Sequence, residues 1–251
     1  MKAVIKMWLR VCSKGVLLGA GYLALATLQP AAALTMDATR YVFTGDKDAL
    51  AVTVSNEAGQ TYGGQGWVEN IVEQDTRPSF VVTPSFFKVR AGEKQVLRII
   101  KAVELPQDKE SVYWLNLQEI PPASEGNGLV VAVRTRVKLF YRPASLIKVR
   151  QDAEQNIELV PTETGLVLKN TTPHVFAISG LLDSADKPLE VDSETSLNLT
   201  VFKPGDEISV PPTTRKVASV NDIGKVLTYT VGQKNKAEPL PTHTTATMNK
   251  K

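Results

Sequence analysis

Leu105-Pro-Gln-Asp-Lys-Glu-Ser-Val-Tyr-Trp-Leu-Asn-Leu-Gln-Glu-Ile-Pro121 is the stretch on which the reading of this chain turns. Within it, Val112-Tyr-Trp-Leu-Asn-Leu117 has an apolar pattern of period two and predicts a strand. A Pro-Pro break and the short polar loop Pro121-Pro-Ala-Ser-Glu-Gly-Asn-Gly128 then lead into a second strand-like run, Leu129-Val-Val-Ala-Val-Arg-Thr-Arg-Val-Lys-Leu-Phe-Tyr141.

The same pattern spreads outward on both sides. Leu50-Ala-Val-Thr-Val54, Gln65-Gly-Trp-Val-Glu69 and Gln95-Val-Leu-Arg-Ile-Ile100 are short, rich in Val, Ile and Trp, and separated by Gly, Pro, Asn and Asp clusters. The second half repeats the style in Gly165–Lys169, His174–Ile178, Asn198–Val201, Glu207–Val210 and Val226–Val231, broken by Pro204-Gly205 and Pro211-Pro212. Strands at this spacing predict β-sandwiches, and no stretch reads as a long amphipathic helix. Pro143 cannot donate to a central ladder, so the domain junction is expected there, with one sandwich over 34–145 and another over 146–234. No internal repeat joins the halves. Residues 235–251 are polar, hold Pro239 and Pro241, and contain too little apolar surface to pack, which predicts a disordered tail.

The first residues carry Lys2, Lys6, Arg10 and Lys14 without an acid, followed by the apolar run Val16–Leu28 and then Gln29-Pro-Ala-Ala-Ala33. This is the pattern of a signal peptide cleaved after Ala33; the run is shorter than the roughly 20 apolar residues a spanning helix needs. The segment holds four of the 29 basic residues and none of the 26 acidic ones, so the exported chain is close to neutral and carries no nucleic-acid footprint. The one cysteine, Cys12, leaves with it, so stability has to come from packed cores, and the chain is long enough for two of about 100 residues each.

Four ordered segments, Asp37-Ala-Thr-Arg-Tyr-Val-Phe43, Leu105–Pro121, Val137-Lys-Leu-Phe-Tyr-Arg-Pro143 and Val220-Asn-Asp-Ile-Gly224, resemble the periplasmic pilus (fimbrial) assembly chaperones of the chaperone-usher pathway. The resemblance implies an all-β chain of two immunoglobulin-like sandwiches set at an angle around a cleft. It implies a periplasmic protein that binds pilin subunits, assists their folding, prevents premature assembly and delivers them to an outer-membrane usher. The short loop 121–128 is similar to the short-loop subfamily, and the absence of mature cysteines agrees with that.

In the run Leu129–Tyr141 the odd positions Leu129, Val131, Val133, Val137 and Leu139 are apolar. Taken alone, that is a strand packing into its own core. The resemblance instead implies that Leu129, Val131 and Val133 are donor positions, on a strand lent to a pilin that lacks its own last strand. An uncovered apolar edge is an aggregation liability, which leaves self-association of the free chain open.

Arg40 and Lys138 match the two basic residues with which family members hold the terminal carboxylate of a pilin. Two cations converging on one carboxylate make charge-assisted hydrogen bonds, and a guanidinium can bind it in bidentate fashion. Read in isolation each is an ordinary solvated charge. Lys138 has the opposite parity to the donor positions, so both sets meet one client only if the strand twists strongly, carries a bulge, or uses its edge for one contact and its face for the other. Glu110, Arg142 and Asp222 match an interdomain ion network, expected to fix orientation more than to stabilise.

Other chemistry finds little support. His174 and His243 are the only histidines and no mature cysteine accompanies them, so neither a metal site nor a cofactor is expected. A serine-histidine-acid triad would have to be built on His174, beside Pro173 and a strand. Gly63-Gly-Gln-Gly66 is too short for a phosphate-binding loop, and no enzyme mechanism is expected. The alternative reading, a structural pilus subunit or carbohydrate-binding adhesin, fits less well, because such subunits are usually single incomplete sandwiches with a cysteine pair.

Overall fold

The computed structural model describes residues 32–71, 77–123, 130–163 and 165–232. Nearly all of the expected export signal, the donor residue Leu129 and the expected tail lie outside the described residues. The first half consists of β1 (Leu34–Met36), β2 (Arg40–Thr44), β3 (Ala49–Asn56), β4 (Tyr62–Asn70), β5 (Phe80–Thr83), β6 (Phe86–Val89), β7 (Lys94–Lys101), β8 (Ser111–Ile120) and β9 (Arg134–Arg142). One sheet has the order β1-β3-β7-β5 and the other β2-β9-β8-β4-β6. Pairing is antiparallel except between β2 and β9, which run parallel.

Alternation closes the first sandwich. Val52 and Val54 from β3 and Leu97 and Ile99 from β7 meet Leu115 and Leu117 from β8 and Val137, Leu139 and Tyr141 from β9 in one buried cluster. Each such side chain contributes about 1.5–3 kcal/mol on burial. Asn56 ends β3 facing inward, and its amide is satisfied by the carbonyls of Gln60 (2.9 Å) and Val89 (2.8 Å). Gly63-Gly-Gln-Gly66 lies within β4, and a Cβ at Gly64 would stand 2.5 Å from the Phe87 ring, so close packing accounts for that glycine.

The second half contains β10 (Glu158–Thr162), β11 (Gly165–Lys169), β12 (Ile178–Leu182), β13 (Pro188–Leu189), β14 (Glu207–Val210), β15 (Lys216–Val220) and β16 (Val226–Thr230), with α1 (Ser193–Thr200) before β14. Its sheets are β10-β11-β14 and β13-β12-β15-β16, closed over Leu168, Phe176, Ile178, Phe202 and Val217. The first core ends at Tyr141 and the second begins at Ala153, with the single 3₁₀ turn Ala144–Leu146 in the interval. A third, smaller cluster of Val112, Phe140 and Val175 ties the two halves together.

Three expected strands differ, the first being the run expected over Leu129–Tyr141, which among the described residues is a strand only from Arg134, so that Val131 and Val133 precede it. Asn198–Val201 falls largely in α1, because Asp192 caps the helix by accepting from Thr195 N at 2.8 Å and leaves only Leu199 buried. His174–Ile178 joins a ladder only at Ile178; upstream, Phe176 makes an isolated bridge with Phe202. The backbone there has other partners: Asn170 Nδ2 donates to the His174 carbonyl (2.8 Å), Glu110 N to that of Pro173 (2.8 Å), and Val175 N donates to Glu110 Oε2 (2.8 Å).

Candidate functional site

β9 is flanked unequally. On one side β8 pairs with it from Arg134 to Tyr141, while on the other β2 pairs only from Lys138 to Arg142. Among the described residues, Arg134 to Val137 therefore have no strand on their second flank. Upstream, the Val133 carbonyl still accepts from Glu119 N (2.9 Å) and Gln118 Nε2 (3.2 Å), which keeps the chain alongside the end of β8. Val131 is 65% exposed and Val133 half-buried, so the apolar row runs on past the point where its own core ends. An extended segment with one open flank can accept an added strand through backbone hydrogen bonds, with alternate side chains entering the guest.

The two faces of β9 are separated by parity. Val137, Leu139 and Tyr141 enter the first core, whereas Phe140 joins the cluster shared with Val175 and Arg142 reaches Asp222. The register against β8 is unbroken, so no bulge reconciles Lys138 with the odd row within β9.

Arg40 and Lys138 are register partners across the parallel β2–β9 pair. Arg40 Nη1 donates to the Val220 carbonyl at 2.6 Å, and its guanidinium lies 5.8 Å from the Phe140 ring centre. Lys138 Nζ donates to the Thr200 carbonyl and lies 5.9 Å from the Trp114 ring centre. Neither forms an ion pair with a carboxylate among the described residues, and Arg40 Nε is buried without a hydrogen-bond partner there. Burial and then the charge of Arg40 push the Lys138 amine down to about 8, and burial also lowers Arg40. Two crowded, partly desolvated cations favour an anion between them.

Glu110, Arg142 and Asp222 come together at the junction. Arg142 Nε contacts Glu110 Oε1 at 2.5 Å, and its two Nη atoms clamp the Asp222 carboxylate at 2.7 and 2.9 Å. Burial alone would raise Glu110, but the His174 ring, the charge of Arg142 and the Val175 amide outweigh it and hold the carboxyl below its usual range. Asp222, likewise pushed up by burial, is brought below its range by Arg142, Arg150 and Arg40.

Several participants were not assigned to this network from sequence. His174 Nδ1 stands 3.3 Å from Glu110 Oε1, and a second buried pair, Arg150 with Glu154 at 2.9 Å, adjoins the first. On the outer face of β9, Arg134 and Arg136 lie over Trp67 and Trp114. The signal for these was legible, since Arg134, Arg136 and Lys138 occupy three successive even positions of that run. Among the described residues, no three His, Cys, Asp or Glu side chains cluster as a metal site, and no helix is long and apolar enough to cross a membrane.

Residues 33–147 match the family described as pili and flagellar-assembly chaperone, PapD N-terminal domain. Over 206 residues the chain is 57% identical to the chaperone protein ClpE of Escherichia coli, covering 81% of this chain and 78% of that protein. The chain belongs to the pilus-assembly chaperone family. It is also 54% identical over 211 residues to the chaperone protein FaeE of Escherichia coli, covering 83% and 82% of the two chains. The solved periplasmic chaperone SfaE aligns with a TM-score of 0.63 at 26% identity, over 79% of this chain and 98% of that one. The two sandwiches of this pilus-assembly chaperone are thus immunoglobulin-like, and its family is a class of chaperones, not of known enzymes.

Proposed function

We propose that this chain is a periplasmic chaperone for pilin subunits, exported by residues 1–33, with its two sandwiches meeting near Pro143. It lends the run that leads into β9, with Leu129, Val131 and Val133 as donor side chains, to a subunit that lacks a strand, while Arg40 and Lys138 hold the subunit's terminal carboxylate. The loaded chaperone then passes the subunit to an outer-membrane usher. The observation that carries the reading is the open flank of β9 upstream of Lys138, ending at two cations without a carboxylate partner among the described residues. An added strand supplies the missing ladder, and the charge pair fixes where its end stops. Glu110, Arg142 and Asp222 serve to fix the cleft that carries these groups.

The test is subunit capture. Arg40→Ala and Lys138→Ala chaperones should fold and accumulate in the periplasm but lose co-purifying pilin. Undiminished co-purification with both variants would sink the anchor.

A further inference from the structure

The outer face of β9 carries three cations in alternate positions, and they are not equally satisfied. Arg134 lies 4.8 Å from the Trp67 ring centre, and its Nη2 reaches both Glu69 oxygens, at 2.7 and 2.9 Å, and Asn116 Oδ1 at 2.7 Å. Its charge is answered within the sheet. Arg136 lies 4.6 Å from the Trp114 ring centre, is exposed, and has no ion-pair or hydrogen-bond partner among the described residues. Lys138 approaches the same indole, at 5.9 Å. An arginine stacked on an indole is fixed in direction while its N–H fork stays open to a planar anion, which a lysine cannot match in geometry.

We propose that Arg136, held on the Trp114 ring, is a specificity-determining contact that takes an acidic side chain two residues before the client's terminal one. The proposal rests on the reading that Arg40 and Lys138 hold the client's terminal carboxylate. A strand that lies along the open flank from Val131 onward and ends at Lys138 runs in the direction of β9. Same-face positions recur about every 6.6–6.8 Å, and adjacent strands lie about 4.7–4.9 Å apart. The client residue two before the end therefore draws level with Arg136, within reach of a guanidinium–carboxylate pair. Arg134, one step further back, is already occupied by Glu69 and selects nothing.

The experiment uses the mature chaperone and a fluorescein-labelled peptide of alternating valine and threonine with a free C-terminus. Aspartate or asparagine is placed two residues before the end, and each peptide is made also as the C-terminal amide. With the native chaperone the aspartate peptide should bind about threefold tighter than the asparagine peptide, the size expected of a partly exposed pair. In Arg136→Gln the preference should vanish while the acid-over-amide preference stays. A preference for aspartate that survives in Arg136→Gln, or that is absent from the native protein while acid still outbinds amide, overturns the proposal alone. If amide binds as well as acid, the carboxylate anchor fails and the proposal falls with it.

Discussion

Arg40 and Lys138 face each other in register on neighbouring parallel strands, and each directs its charge at a main-chain carbonyl of the second sandwich, Val220 and Thr200 respectively. Burial, and after it the charge of Arg40, holds the lysine amine at about 8 against an ordinary 10.5.

That depression predicts two opposite pH slopes. A guest carboxylate favours the protonated amine, so affinity for a free C-terminus should fall as pH rises through about 8. Stability should do the reverse: between about 8 and 10.5 the unfolded chain binds more protons than the folded one, so the empty chaperone gains stability as pH climbs through that window. Peptide anisotropy and urea unfolding across this range read both, and Lys138→Gln should flatten both. A native binding curve that is level across pH 8 contradicts the assignment.

The ion network should respond unequally to loss of its two acids. Glu110 has a fully buried side chain, and its removal leaves the buried Arg142 Nε and the Val175 amide without their acceptor. Glu110→Ala is expected to cost about 3–5 kcal/mol, as for breaking one side of a buried pair. The Asp222 side chain is 42% exposed and water can replace it, so Asp222→Ala should cost about 1 kcal/mol or less. Urea midpoints of the two variants decide it, and equal losses would mean that burial does not govern the network.

How much of this was legible in sequence varies with the range of the interaction. The strands β3, β4 and β7 follow from local alternation, because each buries one face against a sheet and the period survives in the residues. The helix α1 was overlooked although Asp192 and Thr195 gave its cap, since Asn198-Leu-Thr-Val201 also fits a short strand. The strand expected at His174 failed for another reason: its polar groups are engaged by Asn170, four residues upstream, and by Glu110, a partner that exists only once the halves have docked. The meeting of Arg40 with Lys138 is likewise non-local, and only the resemblance pointed to it.

The open edge itself predicts a separation between folding and capture. Val131 is 65% exposed and contributes little to its own domain, so Val131→Asp should change unfolding free energy by no more than about 0.5 kcal/mol. In a guest's apolar groove the same carboxylate would be desolvated without a partner, and pilin capture should disappear. Leu139, on the same parity but fully buried, gives the converse: Leu139→Ala should cost about 2–5 kcal/mol by opening a cavity, and any loss of capture should track the loss of folded protein. Thermal melts paired with pilin co-purification distinguish the two. Wild-type capture by Val131→Asp would place the donated contacts elsewhere on the chain, because no exposed residue on a guest-covered edge tolerates a buried charge.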